Sequence, residues 1–147
     1  MTVKIKKFTD RDIGQIIILQ NEWFESGILP SFVTCLYEDD FSEKNTIVAV
    51  EADIIGYSLF SSKRPNNEFE IEYLYISKSK RGRGIGEKLI ESVEKEIKNL
   101  GGQKIVISPV STVDLGKLMS YYRNLGYSQE EDRLSAGIKH KIMSKVI

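Results

Sequence analysis

The chain has very little of the chemistry on which disulfides and metal sites depend. It contains one cysteine, Cys35, and one histidine, His140, in 147 residues. A single cysteine excludes an internal disulfide and a cysteine-based metal site. Because there is also only one histidine, a transition-metal enzyme is not expected. We therefore predict a function that uses no metal.

The chain also lacks an excess of charge of either sign. Lysine and arginine total 21, aspartate and glutamate total 21, and the formal net charge is zero. The chain therefore has no net positive charge that would attract it to nucleic acid or to an anionic membrane. No apolar run approaches the ~20 residues that span a bilayer. Residues 1–5 lack the features of a signal peptide. We expect a cytoplasmic protein with neither nucleic acid nor membrane as partner, forming one domain over residues 1–147.

Apolar spacing and turn residues predict the element order β-α-α-β-β-β-α-β-α-β-β. The predicted helices cover residues 13–24, 31–40, 85–100 and 115–125, and the predicted strands cover residues 3–8, 46–50, 54–60, 69–76, 104–108, 127–129 and 138–143. The second and third strands are expected to form an antiparallel hairpin. A turn is predicted at 65–67, and Ser111 with Asp114 has capping-box spacing. This order is typical of an α/β mixed sheet with helices on both faces.

One short loop, Arg81-Gly82-Arg83-Gly84-Ile85-Gly86, is the most informative part of the sequence. It lies between a predicted strand and a predicted amphipathic helix. Glycines at alternate positions let a ligand approach the backbone closely. The N–H groups at the start of the following helix form a site for an anion, most often a phosphate. We therefore predict that the loop binds a phosphorylated cofactor.

Two other phosphate-binding loops are excluded by spacing. A Walker A loop ends in Gly-Lys followed by Ser or Thr, whereas this chain has Gly86-Glu87-Lys88. The dinucleotide fingerprint has two residues between its second and third glycines, but only Ile85 separates Gly84 from Gly86. A glycine turn with no ligand is the remaining structural alternative.

Two motifs together resemble the GCN5-related N-acetyltransferase (GNAT) family. Arg81–Gly86 fits its pyrophosphate signature, which is Arg or Gln, two residues, Gly, one residue, and Gly or Ala. Tyr121–Tyr127 fits a second signature, an aromatic-Tyr pair followed by three residues, Gly and an aromatic. The two lie in the expected order, and the element order of the whole chain agrees. The resemblance implies a central, mostly antiparallel sheet with helices on both faces.

The resemblance also implies a reaction, the transfer of an acetyl group from acetyl-CoA to a primary amine of a small molecule or of a protein or peptide. Backbone groups of the fourth strand would pair with the pantetheine arm, and the glycine loop would hold the pyrophosphate. Pro109, just after the fifth strand, is expected to help that strand diverge from the fourth. The implied cofactor-binding residues are Leu74, Tyr75, Ile76, Arg81, Gly82, Arg83, Gly84, Ile85, Gly86 and Glu87.

Three residues are candidates for the catalytic roles. Tyr122 matches the family tyrosine that acts as general acid to the CoA sulfur, and a phenol with a pKa near ~10 remains protonated at neutral pH. In parts of the family, carboxylates on this strand act as bases, and Glu70 and Glu72 lie on one face of it. Glu72, closer to the expected acetyl position, is the first choice for the general base and Glu70 the second, with bulk water acting through a chain as the alternative. A backbone N–H near Tyr75 or Ile76 would stabilise the oxyanion. A non-catalytic acyl-CoA-binding module is the alternative function.

The acceptor is left open by the sequence. Acidic clusters at 38–40, 68–72 and 130–132 would attract a cationic amine, although solvated loops explain them equally well. The aromatic residues Trp23, Phe24, Phe32 and Tyr37 would form either a wall over the acceptor or part of the core. We predict a polyamine-like or aminoglycoside-like amine, or a protein or peptide amino group. The resemblance is also compatible with a homodimer.

Overall fold

The computed structural model of the chain describes residues 2–30, 32–62 and 66–147. Its α-helices and β-strands, in chain order, are β1 Lys4–Lys7, α1 Ile13–Glu25, β2 Thr46–Glu51, β3 Asp53–Ser61, β4 Glu68–Ile76, α2 Ile85–Asn99, β5 Lys104–Ile107, α3 Leu115–Asn124, β6 Ser128–Ser135 and β7 Ile138–Val146. Short 3₁₀ turns occupy Asp10–Asp12, Glu38–Asp40 and Lys78–Lys80. None of the helices in these ranges has the length and apolarity that crossing a bilayer requires.

The strands form one seven-stranded sheet in the order β1-β2-β3-β4-β5-β7-β6. β4 and β5 are parallel, and every other neighbouring pair is antiparallel. A parallel pair needs a crossover connection, and α2 supplies it. The prediction of a mixed, mostly antiparallel sheet is confirmed, as is the hairpin of β2 and β3.

Two apolar cores cover the two faces of the sheet. On one face α2 packs through residues such as Leu89 and Val93, and α3 adds Met119. On the other face α1 packs through Ile16 and Leu19. All of these side chains are almost completely buried, so the hydrophobic effect holds a helix against each face. The prediction of helices on both faces is confirmed.

The predicted helix over residues 31–40 is wrong. Residue 31 lies outside the described residues; residues 32–37 are irregular, and Glu38–Asp40 forms a single 3₁₀ turn. The Gln20 side chain explains this, because its Nε2 donates to the carbonyl of Leu36 at 2.8 Å and its Oε1 accepts from the Leu36 N–H at 2.8 Å. Both main-chain groups of Leu36 are thereby used outside a helix. The β-branched residues Val33 and Thr34 also disfavour one.

Two turn predictions need adjustment. The cap of α3 is Asp114, whose carboxylate accepts the Lys117 N–H at 2.8 Å, so the cap lies three residues beyond Ser111. Ser111 instead accepts N–H groups of the turn before the helix. Of the turn predicted at 65–67, Pro65 lies outside the described residues, and Asn66 and Asn67 adopt positive φ.

The packing of α1 predicts a contrast between two isoleucines on the same helix. Ile16 is 0% exposed and Ile18 is 68% exposed. Ile16→Ala should lower the free energy of unfolding by about 2–5 kcal/mol because it leaves a cavity. Ile18→Ala should change it by less than about 0.5 kcal/mol. Urea denaturation followed by circular dichroism measures both, and equal losses would contradict this packing.

Candidate active site

A cleft opens where β4 and β5 stop pairing. The parallel register joins Glu68–Ile71 to Lys104–Ile107, and β5 ends there. β4 continues to Ile76. Pro109, two residues after β5, has no N–H to donate to a ladder. Its placement agrees with the expectation that it helps the two strands separate.

A β-bulge on β4 lies at the start of the cleft. Leu59 of β3 opposes Tyr73, but Phe60 opposes Ile71, so Glu72 is the additional residue. The bulge changes which face each side chain joins. Before it, Ile71 belongs to the core under α2; after it, Tyr73 and Tyr75 pack with the core under α1.

The bulge also changes the relation between the two glutamates predicted as bases. The expectation that they share one face assumed an unbroken alternation, which the bulge interrupts. Glu72 lines a cavity of about 780 Å³ in the cleft and also a second cavity of about 620 Å³ beside it. Glu70 lines only the second. Glu72 accepts a hydrogen bond from Ser61 Oγ at 2.8 Å. Glu72 is therefore the glutamate placed at the junction of the two cavities.

The cavity in the cleft, called here the first cavity, brings most of the predicted site residues together. Those that line it are Glu72, Leu74, Tyr75, Ile76, Arg81, Gly82, Gly84, Ile85, Gly86, Glu87 and Tyr122. Glu70 and Arg83 are not among its lining residues. A volume of about 780 Å³ is typical of a site for a cofactor-sized ligand.

Main-chain N–H groups at the start of α2 border the first cavity. The first helical bond runs from the Lys88 N–H to the Gly84 carbonyl at 3.2 Å, so the N–H groups of residues 85–87 precede the helical pattern. In the described structure no side chain caps this end. Gly82 and Gly84 have φ of 80° and 76°, conformations that favour glycine. The positive end of the helix dipole adds to this anion site.

Gly86 allows α3 to approach this helix end. A Cβ at residue 86 would lie 2.3 Å from the Tyr121 hydroxyl oxygen. Tyr121 is half-buried against the core under α2 and also lines the first cavity. Burial, with a smaller effect of the Glu87 carboxylate, raises the pKa of Tyr121 to about 12.

The positive charges of the loop divide between two places. The Arg83 guanidinium makes two hydrogen bonds to Glu51, and Lys80 Nζ lies 3.3 Å from the same carboxylate. Arg81 and Lys80 both line the first cavity, whereas Arg83 does not. The Arg81 Nε donates to the Ile76 carbonyl at 3.0 Å and its guanidinium lies 5.2 Å from the centre of the Tyr75 ring. Arg81 is therefore the arginine of the loop that faces the cleft.

The register of β3 and β4 determines which backbone groups face the cleft. The Ser77 N–H donates to the Ile55 carbonyl at 2.8 Å, and in an antiparallel ladder such bonded residues alternate with unbonded ones. Tyr75 is therefore bonded to β3, and Leu74 and Ile76 direct their peptide groups away from it. Tyr75 contributes to the cavity wall, but its main-chain groups do not face the cleft.

Tyr122 reaches the first cavity from α3. It is almost completely buried, with its ring centre 5.3 Å from that of Tyr121 and 6.1 Å from that of Tyr127. Burial raises the pKa of the Tyr122 phenol well above its ordinary value. The phenol is therefore protonated across the physiological range and can act as a proton donor.

Some lining residues were not predicted from the sequence as binding residues. They are Ile28, Leu29, Ser108, Val110, Lys117 and Leu118. Trp23 of α1, expected either over the acceptor or in the core, lines the cavity as well. Pro109 was a sequence signal that the segment after β5 would line the cleft. No motif in the sequence marks Ile28 or Leu29. In the described part of the chain, no group of histidine, cysteine and carboxylate side chains could hold a metal ion.

Comparison with known proteins identifies the family. The profile of the Acetyltransferase (GNAT) family matches residues 14–127. The chain belongs to the GNAT acetyltransferase family. No curated protein matches the chain significantly.

Solved structures share the fold at low sequence identity. PaiA N-acetyltransferase from Thermoplasma acidophilum, in complex with coenzyme A, is 18% identical with a TM-score of 0.73, covering 100% of both chains. YncA from Salmonella typhimurium, with its cofactor acetyl-CoA, is 15% identical with a TM-score of 0.79, covering 99% of this chain and 94% of that one. N-acetylglutamate synthase from Neisseria gonorrhoeae, with coenzyme A and N-acetyl-glutamate, is 18% identical with a TM-score of 0.77, covering 99% of this chain and 35% of that one.

The ion pair of Glu51 predicts a pH-dependent contribution to stability. The Arg83 hydrogen bond, assisted by Lys80, lowers the pKa of Glu51 from 4.5 to about 2. A lowered carboxyl pKa stabilises the folded state above the unfolded pKa, and this contribution is lost as the pH falls through the folded pKa. Glu51→Gln should therefore be less stable than wild type near pH 6, and the difference should shrink between about pH 4.5 and 2. Urea denaturation at several pH values measures this, and a difference independent of pH would contradict it.

Proposed function

We propose that the protein is an acetyl-CoA-dependent N-acetyltransferase that acts on a primary amine. The observation that carries the proposal is the cleft itself. It places uncapped helix N–H groups, an unpaired stretch of strand and a buried tyrosine around one cavity of about 780 Å³. Family membership and the coenzyme A complexes of the structural relatives support it.

The start of α2 would hold the pyrophosphate of the cofactor. The N–H groups of Ile85, Gly86 and Glu87 offer donors without intrahelical partners. Gly82 and Gly84 keep the approach free of side chains, and the Arg81 guanidinium supplies positive charge from the cavity wall. Because Glu51 binds the Arg83 side chain, we assign Arg83 a contribution through its backbone only.

The unpaired edge of β4 would hold the pantetheine arm. The arm carries amide groups, which can pair with a strand edge as an added strand does. Leu74 and Ile76 direct their peptide groups toward the cleft. The Ile76 carbonyl already accepts from Arg81, so Leu74 is the residue with the more accessible pair of groups. The Leu74 N–H is also our candidate for stabilising negative charge on the carbonyl oxygen, in preference to that of Tyr75.

Tyr122 and Glu72 would move the protons of the reaction. Acetyl-CoA supplies the activated acyl group; a C–N bond forms to the acceptor amine as the C–S bond breaks. The amine gives up a proton to Glu72, directly or through water, and Tyr122 donates a proton to the sulfur. Glu72 is preferred over Glu70 because only Glu72 lines both cavities.

Substitution of Tyr122 tests the proton-donor role. Tyr122→Phe should lower kcat by about 100-fold or more, because the departing thiolate loses its proton donor. The dissociation constant for acetyl-CoA should change by less than about threefold, since the ring remains in place. Release of free thiol with a panel of amines measures kcat, and calorimetry measures binding.

Tyr121→Phe is the matched control, since it makes the same change at the adjacent residue on the wall of the same cavity. It should leave kcat within about threefold. Equal rates in wild type and Tyr122→Phe would show that Tyr122 is not the proton donor. If calorimetry detects no binding of acetyl-CoA, the proposed function is contradicted. If acetyl-CoA binds but no amine in the panel is acetylated, the protein is instead a non-catalytic binding module.

Substitution of the two glutamates distinguishes the candidate bases. Glu72→Gln should lower kcat/KM by about 100-fold, because the group that accepts the amine proton is lost. Glu70→Gln, the same change two residues away, should reduce kcat/KM by less than about tenfold. The reverse order would assign the base to Glu70.

A further inference from the structure

A buried serine on β3 donates its hydroxyl to the backbone of β4 beside the bulge. Ser58 is 0% exposed, and its Oγ donates to the Tyr73 carbonyl at 2.9 Å. Tyr73 directly follows the bulge residue Glu72, and Ser58 opposes Leu74 across the two strands. This hydrogen bond comes from a side chain and is therefore additional to the main-chain bonds of the ladder. It is made at the position where the pairing of β3 and β4 changes register.

The carbonyl that Ser58 contacts belongs to the same peptide group as the Leu74 N–H. Tyr73, like Tyr75, directs its own main-chain groups toward β3, and Leu74 directs its groups toward the cleft. The 73–74 peptide is trans, so its C=O and its N–H point in opposite directions. Ser58 therefore holds one end of a peptide group whose other end faces the first cavity, which Leu74 lines.

A second serine of β3 contacts the other side of the bulge. Ser61 Oγ donates to the Glu72 carboxylate at 2.8 Å. A bulge interrupts the regular ladder, so the groups beside it have fewer main-chain bonds to fix their direction. Side-chain hydroxyls of β3 thus contact both the carboxylate of the additional residue and the peptide group that follows it.

The Ser58 hydrogen bond affects the Leu74 N–H in two ways. It fixes the plane of the 73–74 peptide, and a donor that is already aimed stabilises developing charge without reorganisation. It also polarises the amide, because hydrogen bonds that share a peptide group strengthen one another where water is excluded. Both effects make the Leu74 N–H a better donor to a negative oxygen in the cleft.

We propose that Ser58 is a positioning residue for the oxyanion in acetyl transfer. As the amine attacks, a C–N bond forms and the thioester oxygen gains negative charge, which the Leu74 N–H stabilises. The charge returns to the carbonyl as the C–S bond breaks. Ser58 transfers no proton and does not touch the reacting atoms; it acts through the 73–74 peptide. This inference rests on the proposed acetyltransferase function and adds a residue to its mechanism.

Two variants at one position separate the hydrogen bond from packing. Ser58→Ala removes the hydroxyl, whereas Ser58→Cys keeps the number of side-chain atoms and replaces a strong donor by a weak one. The single-turnover rate of acetyl transfer is measured with the amine that the wild type acetylates fastest. Both variants should lower this rate by about three- to tenfold. A role in packing alone predicts the wild-type rate for Ser58→Cys.

The infrared spectrum of the bound thioester provides a readout that general stability does not move. A hydrogen bond to a carbonyl oxygen weakens the C=O bond and lowers its stretching frequency. With acetyl-CoA isotopically labelled at the thioester carbonyl, the bound band should therefore lie at higher frequency in Ser58→Ala than in wild type. Coenzyme A has no acetyl carbonyl, so its dissociation constant from calorimetry should change by less than about twofold.

Thr46→Val is the matched control. Thr46 lies on the neighbouring strand β2 and is 1% exposed, and its Oγ1 donates to the Asn45 side chain at 2.7 Å. The variant also removes a buried hydroxyl from the sheet, but one that makes this bond away from β4. It should lower the denaturation midpoint and leave the single-turnover rate and the thioester band unchanged.

The outcomes distinguish this inference from the proposed function. A wild-type rate in Ser58→Cys, or an unchanged thioester band in Ser58→Ala, would overturn the positioning role while leaving the acetyltransferase intact. An equal loss of rate in Thr46→Val would show that the rate responds to any lost buried hydroxyl and would also overturn it. Failure of the wild type to acetylate any amine would overturn the proposed function itself.

Discussion

The site depends on one incomplete strand pairing. β4 and β5 are the parallel pair of the sheet, and their ladder stops at Ile71 and Ile107 while β4 continues. Had the ladder continued, the peptide groups of Leu74 and Ile76 would be bonded to β5 and no cleft would exist. The α2 crossover that makes the pairing parallel also places its own N-terminus at the open end. The crossover that a parallel strand pair requires therefore positions both the unpaired strand edge and the anion site.

The bulge at Glu72 lets one strand serve two cores. Ile71 packs under α2, whereas Tyr73 and Tyr75 pack under α1, and the change of face occurs at the additional residue. A charged side chain is tolerated there because the strand is no longer paired on both sides. A regular strand would direct Glu72 to a single face. The bulge instead gives it access to both cavities.

The sequence predicts those features that depend on local chemistry. The glycine loop was identified from residue type and spacing and Tyr122 from its match to the family signature, and the structure brings both to one cavity. Features that depend on distant contacts could not be predicted. Arg83 binds Glu51, more than thirty residues earlier, and Gln20 holds Leu36 out of a helix. The bulge has only a weak signal, the loss of apolar alternation after Glu72, because Tyr73–Ile76 are aromatic or aliphatic throughout.

The zero net charge of the chain does not describe the field at one end of the first cavity. The N-terminus of α2 and the Arg81 guanidinium lie there, and both attract an anion. Local fields act over about a Debye length, roughly 8 Å at physiological ionic strength, so the balance of the whole chain does not weaken this attraction.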